Sequence, residues 1–274
     1  AETAGGDGLD VDAVAFSRGP GLGPCLRIVG TAARALAQTL SVPLVGVNHM
    51  VAHLEIGRHQ SGFDSPVCLN ASGPKVEQRA KDGDYYDLPY VVKGMDFSFS
   101  GIMSAAKDAV DDGVPVEDVC AGLQETIFGM LTEVAERALS LTGTDELVLG
   151  GGVGQNARLR AMLASMCEQR GADFYAPEPR FLRDNAGMIA VLGAKMYAAG
   201  DTLDVADSSV DPNFRPDEVP VTWRGEGESV VRDPSASGTI RGAEATVTFE
   251  DDRVIKRRVP KAYRHPALDE RLRA

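Results

Sequence analysis

The sequence predicts an α/β chain built on mostly parallel sheet, and three observations carry that reading. Short apolar, strand-like runs alternate with stretches of helical periodicity, the pattern of strand–helix–strand units with right-handed crossovers. Glycine-rich loops follow two of the runs, at the carboxyl ends where open α/β sheets collect ligands. The chain has 274 residues and 43% hydrophobic content, enough for one large core or two modest ones.

Residues 11–17 (VDAVAFS) read as the first strand, followed by a Gly/Pro loop at 18–24 (RGPGLGP) and a helix to about Leu40. Residues 42–47 (VPLVGV) form a second strand that leads into a helix carrying His49 and His53, and residues 65–72 (SPVCLNAS) a third. In the middle of the chain Val119, Leu123, Ile127, Leu131, Val134 and Ala138 recur at spacings of three or four, which predicts a helix with one buried stripe. A strand at 146–150 (ELVLG), the loop GGVGQN and a helix that Gly171 terminates come next. Residues 180–197 place Asp184 just before an apolar helix. Beyond Gly200 the composition turns to Asp, Pro, Ser, Gly and Glu through about Gly238, as in a tail and linker. Two β-like runs, ATVTF and RVIK, separated by an acidic turn, then predict a hairpin that opens a second domain.

The net charge is −12, and the only lysines are Lys75, Lys81, Lys93, Lys107, Lys195, Lys256 and Lys261. Abundant aspartate with few lysines keeps a protein hydrated in concentrated salt, so the composition points to a halophilic host; an ordinary acidic enzyme is the alternative. Such acidity argues against broad nonspecific nucleic-acid binding, which needs clustered Lys and Arg, but leaves room for a local basic patch. No apolar stretch approaches the roughly 20 residues needed to cross a bilayer, and the first residues lack a signal-like basic and apolar pattern. Cys25, Cys68, Cys120 and Cys167 show no CxxC spacing and read as reduced packing residues of a cytoplasmic protein.

Four features could carry chemistry. His49 and His53 stand at i and i+4, so on a helix they share one face with Cβ atoms roughly 6 Å apart, within reach of one metal ion. The same spacing also suits a plain surface or core pair. Met50 follows His49 where a zinc peptidase of the HExxH type needs glutamate, so that chemistry is not expected. Asp184 is either a helix N-cap or a carboxylate ligand that joins the histidines. Two imidazoles and one carboxylate would leave positions open, as suits Fe(II) or another divalent ion that binds substrate oxygens. The GGVGQN loop has the layout of an anion or nucleotide cradle without being a P-loop, and it also fits a simple tight turn. Asn156 reads equally as an N-cap or a ligand contact, and Ser100 as a helix cap.

Taken in order, GPGLGPCLRIV, VNHMVAHLE, LNASG, GPKVE, MDFSFSG, LQETIFGML, GGVGQNARLR and RDNAGMIA closely resemble the archaeal/eukaryotic branch of the TsaD family. These are the tRNA N6-adenosine threonylcarbamoyltransferases, and the resemblance covers residues 11–215. From Ile240 the chain resembles the N-terminal edge of the small PRPK-like atypical kinase that some archaea carry fused behind this enzyme. Both are components of the KEOPS complex. The resemblance implies a transferase domain over 1–215, a linker over 216–239 and a kinase-like fragment over 240–274.

It also implies an ASKHA (actin, sugar kinase, Hsp70) fold. The activity implied is transfer of threonylcarbamoyl from threonylcarbamoyl-adenylate to N6 of adenosine 37, in tRNAs that read codons beginning with A. By motif, His49, His53 and Asp184 would hold one metal ion, usually Fe(2+), and Asn70 stands where relatives often place a further tyrosine ligand. Asn70, Ala71, Ser72 and Gly73 would line the adenylate, with Glu77 and Asn156 on the ribose and base side. In the kinase-like fragment Gly242, Ala243, Glu244 and Ala245 resemble the ATP loop, and Lys256 the lysine that grips ATP phosphates. The implied partners are tRNA, threonylcarbamoyl-adenylate, ATP and the other KEOPS subunits, with no membrane. No single catalytic residue is implied.

Two departures stand out. The family's opening phosphate hairpin is not in the sequence, and LNASG runs directly into PKVEQ where the family has several dozen more residues. This reads as an internal deletion or a junction between Gly73 and Pro74. The kinase aspartates would fall past Ala274, so kinase activity is not expected here. A catalytically incomplete scaffold that docks KEOPS partners is therefore the alternative to an active transferase.

Overall fold

The computed structural model describes residues 11–70, 75–224, 239–241, 246–250 and 253–274. The chain divides into two compact units, Ala1–Gln60 with Arg183–Gly227 and Ser61–Leu182 with Glu228–Ala274. Ala71, Ser72, Gly73 and Gly242 to Ala245 lie outside the described residues, as do the side chains of Asn70 and Lys256.

In the first unit, β1 (Val14–Gly19) pairs in parallel with β2 (Leu44–Asn48), and α1 (Gly23–Leu40) forms the crossover between them. Pro24 sits in the first turn of α1, where its missing N–H costs nothing. Ser41 ends the helix in the left-handed region at φ 57, its N–H turned back to Ala37 and Gln38. Val14, Phe16, Ala33, Ala37 and Leu44 close the core between helix and sheet. Two further helices, α2 (His49–Ser61) and α8 (Ala186–Ala198), belong to this unit, and α8 lies on β1. A Cβ added at Gly193 of α8 would stand 2.4 Å from the Ala15 Cβ, so only glycine permits that approach.

Residues 201–215, polar in composition, are packed rather than loose. Leu203 bridges to Leu44, Arg34 donates to the buried Ser208, the Asp211 N–H donates to the Arg18 carbonyl, and Asn48 donates to the Phe214 carbonyl. Their side-chain and backbone partners lie far away in the sequence, which composition cannot reveal.

In the second unit β3 (Val67–Asn70), β6 (Glu146–Gly150) and β7 (Asp173–Tyr175) form a parallel sheet in the order β3-β6-β7. The long helix α5 (Val116–Thr142) and α6 (Ala157–Arg170) share its main core. The expected single stripe on α5 is corrected: the helix buries two faces. Phe128, Leu131, Ala135 and Leu139 join the sheet's core, while Val119 and Met130 face a second cluster with Leu88 and Ile102. Each of the larger of these side chains contributes about 1.5–3 kcal/mol by leaving water. Around α5 stand α3 (Lys75–Ala80), the short pair β4 (Val92–Lys93) and β5 (Asp96–Phe97), and α4 (Ser100–Asp111). Ser100 is the first residue of α4, not its cap; Phe99 precedes the helix with no side-chain cap bond.

The expected hairpin forms: β9 (Thr246–Glu250) pairs antiparallel with β10 (Arg253–Arg257), and β8 (Thr239–Arg241) adds a third strand. The residues that follow, ending in α9 (Pro266–Arg273), pack on α5. Lys261 pairs with Glu136 at 2.7 Å and Arg264 with Glu133 at 2.6 Å, all four buried. Tyr263 is fully buried in the main core, and burial pushes its hydroxyl pKa up. Between β7 and α8 sits the one-turn helix α7 (Pro179–Leu182). Among the described residues no helix is long and apolar enough to cross a membrane.

Candidate metal centre and glycine loop

The first unit presents its two histidines at the carboxyl end of β2. Asn48, the last residue of that strand, is buried, and its Oδ1 accepts from the N–H groups of Met50 and Val51. That cap starts α2 on the next residue, so His49 and His53 emerge one turn apart on the same face. Across from them, Asn185 caps α8 by accepting from the Met188 N–H at 2.9 Å. Asp184 is therefore not the N-cap; the neighbouring asparagine takes that duty and leaves the carboxylate free.

The three side chains converge. Nε2 of His49 lies 3.2 Å and Nε2 of His53 3.1 Å from one oxygen, Oδ1 of Asp184. The donor atoms all fall within 4.8 Å of one another, and the rings stand edge to face at 4.9 Å. Ligand atoms held about 2.1 Å from one ion at 90–109° would be about 3.0–3.4 Å apart, which is the spacing found to Asp184. The donor set thus fits a divalent ion of borderline softness. His53 is buried, and desolvation lowers its pKa although the Asp184 hydrogen bond pulls upward; the neutral ring is the ligand form. Its Nδ1 has no partner among the described residues. Asp184 is 80% exposed, which leaves one side of the cluster open.

Two further contacts hold the helices that carry these groups. Glu55 of α2, buried, accepts from Lys195 of α8 at 2.7 Å and from both Nε and Nη2 of Arg58. Beside the cluster a cavity of about 880 Å³ opens, reached by His49, Asp184 and Asn185 and otherwise walled mainly by apolar groups such as Val29, Val45 and Ile189.

In the second unit the glycine loop follows β6. Asn70 and Gly150 are register partners at the ends of β3 and β6. Gly151 adopts φ 77, a 3-10 turn follows over Gly152–Gln155, and Asn156 opens α6. The structure gives Asn156 the capping role: its Oδ1 accepts from the N–H groups of Arg158 and Leu159, and its Nδ2 donates to Gln124. Glu77 of α3 accepts from the Ala157 N–H at 3.1 Å. The positive start of α6, expected to attract a ligand anion, is thus occupied by a carboxylate of the chain itself.

The structure brings His49, His53 and Asp184 together and sets Glu77 against the first turn of the helix that Asn156 caps. Sequence reasoning missed Asn48, Glu55, Lys195, Gln124 and Arg158. For Asn48 a signal exists, an asparagine between a strand and a helix; the others act through partners too distant in sequence to pair by eye.

An α/β chain with a histidine–carboxylate cluster at one strand end and a glycine loop at another defines the class: an α/β protein with a candidate metal site. The family follows from comparison. The family model described as "TsaD: tRNA N6-adenosine threonylcarbamoyltransferase" matches residues 2–73 and 69–191, and the chain belongs to that family. Members of it are generally metal-dependent.

Three curated relatives are each named "Probable bifunctional tRNA threonylcarbamoyladenosine biosynthesis protein". The one from Haloarcula marismortui is 67% identical over 311 residues, covering 98% of this chain and 57% of the relative. That from Halobacterium salinarum is 68% identical over 306 residues, covering 96% and 57%. That from Methanospirillum hungatei is 52% identical over 302 residues, covering 95% and 57%. The chain therefore spans somewhat more than half the length of these relatives. Each aligned stretch is also longer than the 274-residue chain, so the relatives carry residues that this chain lacks.

Proposed function

We propose that the chain supplies the transferase part of a KEOPS protein that forms N6-threonylcarbamoyladenosine at position 37 of tRNAs reading codons that begin with A. The observation that carries this reading is the convergence of His49, His53 and Asp184 within a chain of this family. The names of the relatives support tRNA as the substrate class, and their "bifunctional" label supports a fused kinase-like part from residue 240 onward. On this reading residues 1–215 are the ASKHA-type transferase, 216–239 a linker, and Gly242–Ala245 with Lys256 the beginning of an ATP site.

The reaction is acyl transfer. N6 of the adenosine attacks the carbamoyl carbon of threonylcarbamoyl-adenylate, a C–N bond forms, the bond from that carbon to the phosphate oxygen breaks, and AMP leaves with the electron pair while N6 gives up a proton. A divalent ion, Fe(2+) in our reading, supplies Lewis acidity when bound. His49, His53 and Asp184 would hold it, with Asn70 as a weaker candidate ligand. Asn70, Ala71, Ser72 and Gly73 line the adenylate. Glu77 and Asn156 shape the loop for the ribose and base, because Glu77 already fills the seat a phosphate would take at α6.

Metal analysis tests the centre: about one divalent ion per chain is expected, lost in a His49→Ala/His53→Ala double mutant, and unchanged metal content defeats the assignment. Mass analysis of tRNA nucleosides after adding threonylcarbamoyl-adenylate and KEOPS partners tests the activity.

A second reading is a scaffold subunit that docks partners without turnover. It is favoured by the family match breaking into two stretches that meet at residues 69–73, and by the longer aligned stretches of the relatives. A chain that binds metal and partners but yields no modified nucleoside would establish it.

A further inference from the structure

Arg158 ties together three elements of the second unit. It is the second residue of α6, where the glycine loop hands over to the helix, and its N–H donates to the Asn156 cap at 2.9 Å. Its guanidinium forks onto Glu125 of α5, Nε to Oε1 at 2.6 Å and Nη2 to Oε2 at 2.8 Å. The same Nη2 donates to the backbone carbonyl of Tyr263 at 3.1 Å. Residue 263 lies in the C-terminal segment, which the buried pairs Lys261–Glu136 and Arg264–Glu133 lock onto α5. The Tyr263 ring packs in the core cluster that includes Leu159, the other residue capped by Asn156. Neighbouring residues of α5, Gln124 and Glu125, hold the cap and the guanidinium respectively.

We propose that Arg158 is a positioning residue that couples docking of the segment Lys261–Arg273 to the geometry of the glycine loop. The loop's nucleotide role rests on the reading above, whereas the coupling itself does not. Release of the segment strips one acceptor from Arg158 and leaves the buried Glu133 with Arg137 alone and the buried Glu136 with only Arg170 at 3.9 Å, so the junction and the segment open together. Linkage is reciprocal: a nucleotide that orders the loop strengthens docking of the segment, and docking strengthens nucleotide binding. Arginine suits this position because its planar fork meets both Glu125 oxygens from Nε and Nη2 while the same Nη2 reaches the Tyr263 carbonyl, a geometry that a single ammonium nitrogen does not reproduce.

Amide hydrogen exchange on the full chain tests this. Lys261→Met should speed exchange in residues 261–273 and at the Arg158 and Leu159 amides alike, by about tenfold, within the usual range of coupling; Lys261→Arg should restore both. Faster exchange in the segment with an unchanged loop–helix junction overturns the proposal. Should Lys261→Met fail to fold, Arg158→Lys gives the reverse view, since it loosens the junction and should raise exchange in 261–273. Titration with AMP supplies the second arm. Binding should protect residues 261–273, and Arg158→Lys should abolish that protection. AMP binding without protection of the segment overturns the coupling and leaves the site reading intact. Absence of AMP binding to the unaltered chain overturns the site reading, and the exchange arm then decides the coupling by itself.

Discussion

At residue 184 a carboxylate meets two imidazoles while the adjacent asparagine takes over the helix cap. Separate roles for neighbouring residues give a clean test. Asp184→Ala should abolish metal binding yet shift stability by no more than ~0.5 kcal/mol, because the side chain is exposed. Asn185→Ala should cost ~1 kcal/mol by uncapping α8, with metal binding weakened less than by Asp184→Ala. Equal effects of the two on metal content would contradict this division of labour. His53 supplies a pH test. Its folded-state pKa is depressed, chiefly by burial, so the unfolded chain binds the proton better than the folded one. Its contribution to stability is full above the ordinary value of 6.5 and drains away as pH falls below it. Thermal melts of the metal-free chain should show this loss, and a His53→Asn variant should show less of it. The sequence held both sides of the Asp184 choice, since Asp and Asn are equally good caps; only the fold decides which one faces the histidines.

Between elements, the tie from Lys195 to Glu55 is the feature with most leverage on the metal centre. It joins α8, whose entry carries Asp184, to α2, whose first two turns carry the histidines. Hydrogen bonds from Arg58 and Lys195 hold Glu55 ionised against its burial, and its pKa lies below the usual range. Lys195→Met should leave the three ligands in place but less well aligned. Metal affinity is then expected to fall about tenfold, at the lower end of what partners behind the ligands contribute. Isothermal titration with a divalent ion measures it, and an affinity equal to that of the unaltered chain would remove Glu55 and Lys195 from the account. Local elements were largely legible beforehand. β6, its glycine loop, α6 and the Gly171 stop follow from apolar runs and glycines, and Gly171 indeed takes φ 73 at the C-cap. The burial of α5 on two faces was not legible, because Glu133 and Glu136 read as polar and only their distant partners Arg264 and Lys261 explain why they are inside.

Over the whole molecule the charge of −12 opposes compaction at low salt. Around 1 M salt the Debye length shrinks to about 3 Å, which removes most of that self-repulsion while sparing buried pairs such as Lys261–Glu136. The melting temperature should therefore climb as KCl rises from 0.1 to 2 M, and a flat or falling curve would contradict the salt-adapted reading. The sequence suggests breaks near residues 215 and 239, whereas contacts group the first 60 residues with 183–227. Composition registers where the chain is polar but carries no trace of which remote segment it meets. The lock between Lys261 and Glu136 spans 125 residues, and that distance matters during synthesis. At ~5–20 residues per second, the ribosome exposes the carboxylates of α5 about 6–25 s before Lys261 and Arg264 emerge. For that interval Glu133 has Arg137 and Glu136 only the more distant Arg170, so this unit reaches its final packing only after translation has passed Lys261 and Arg264.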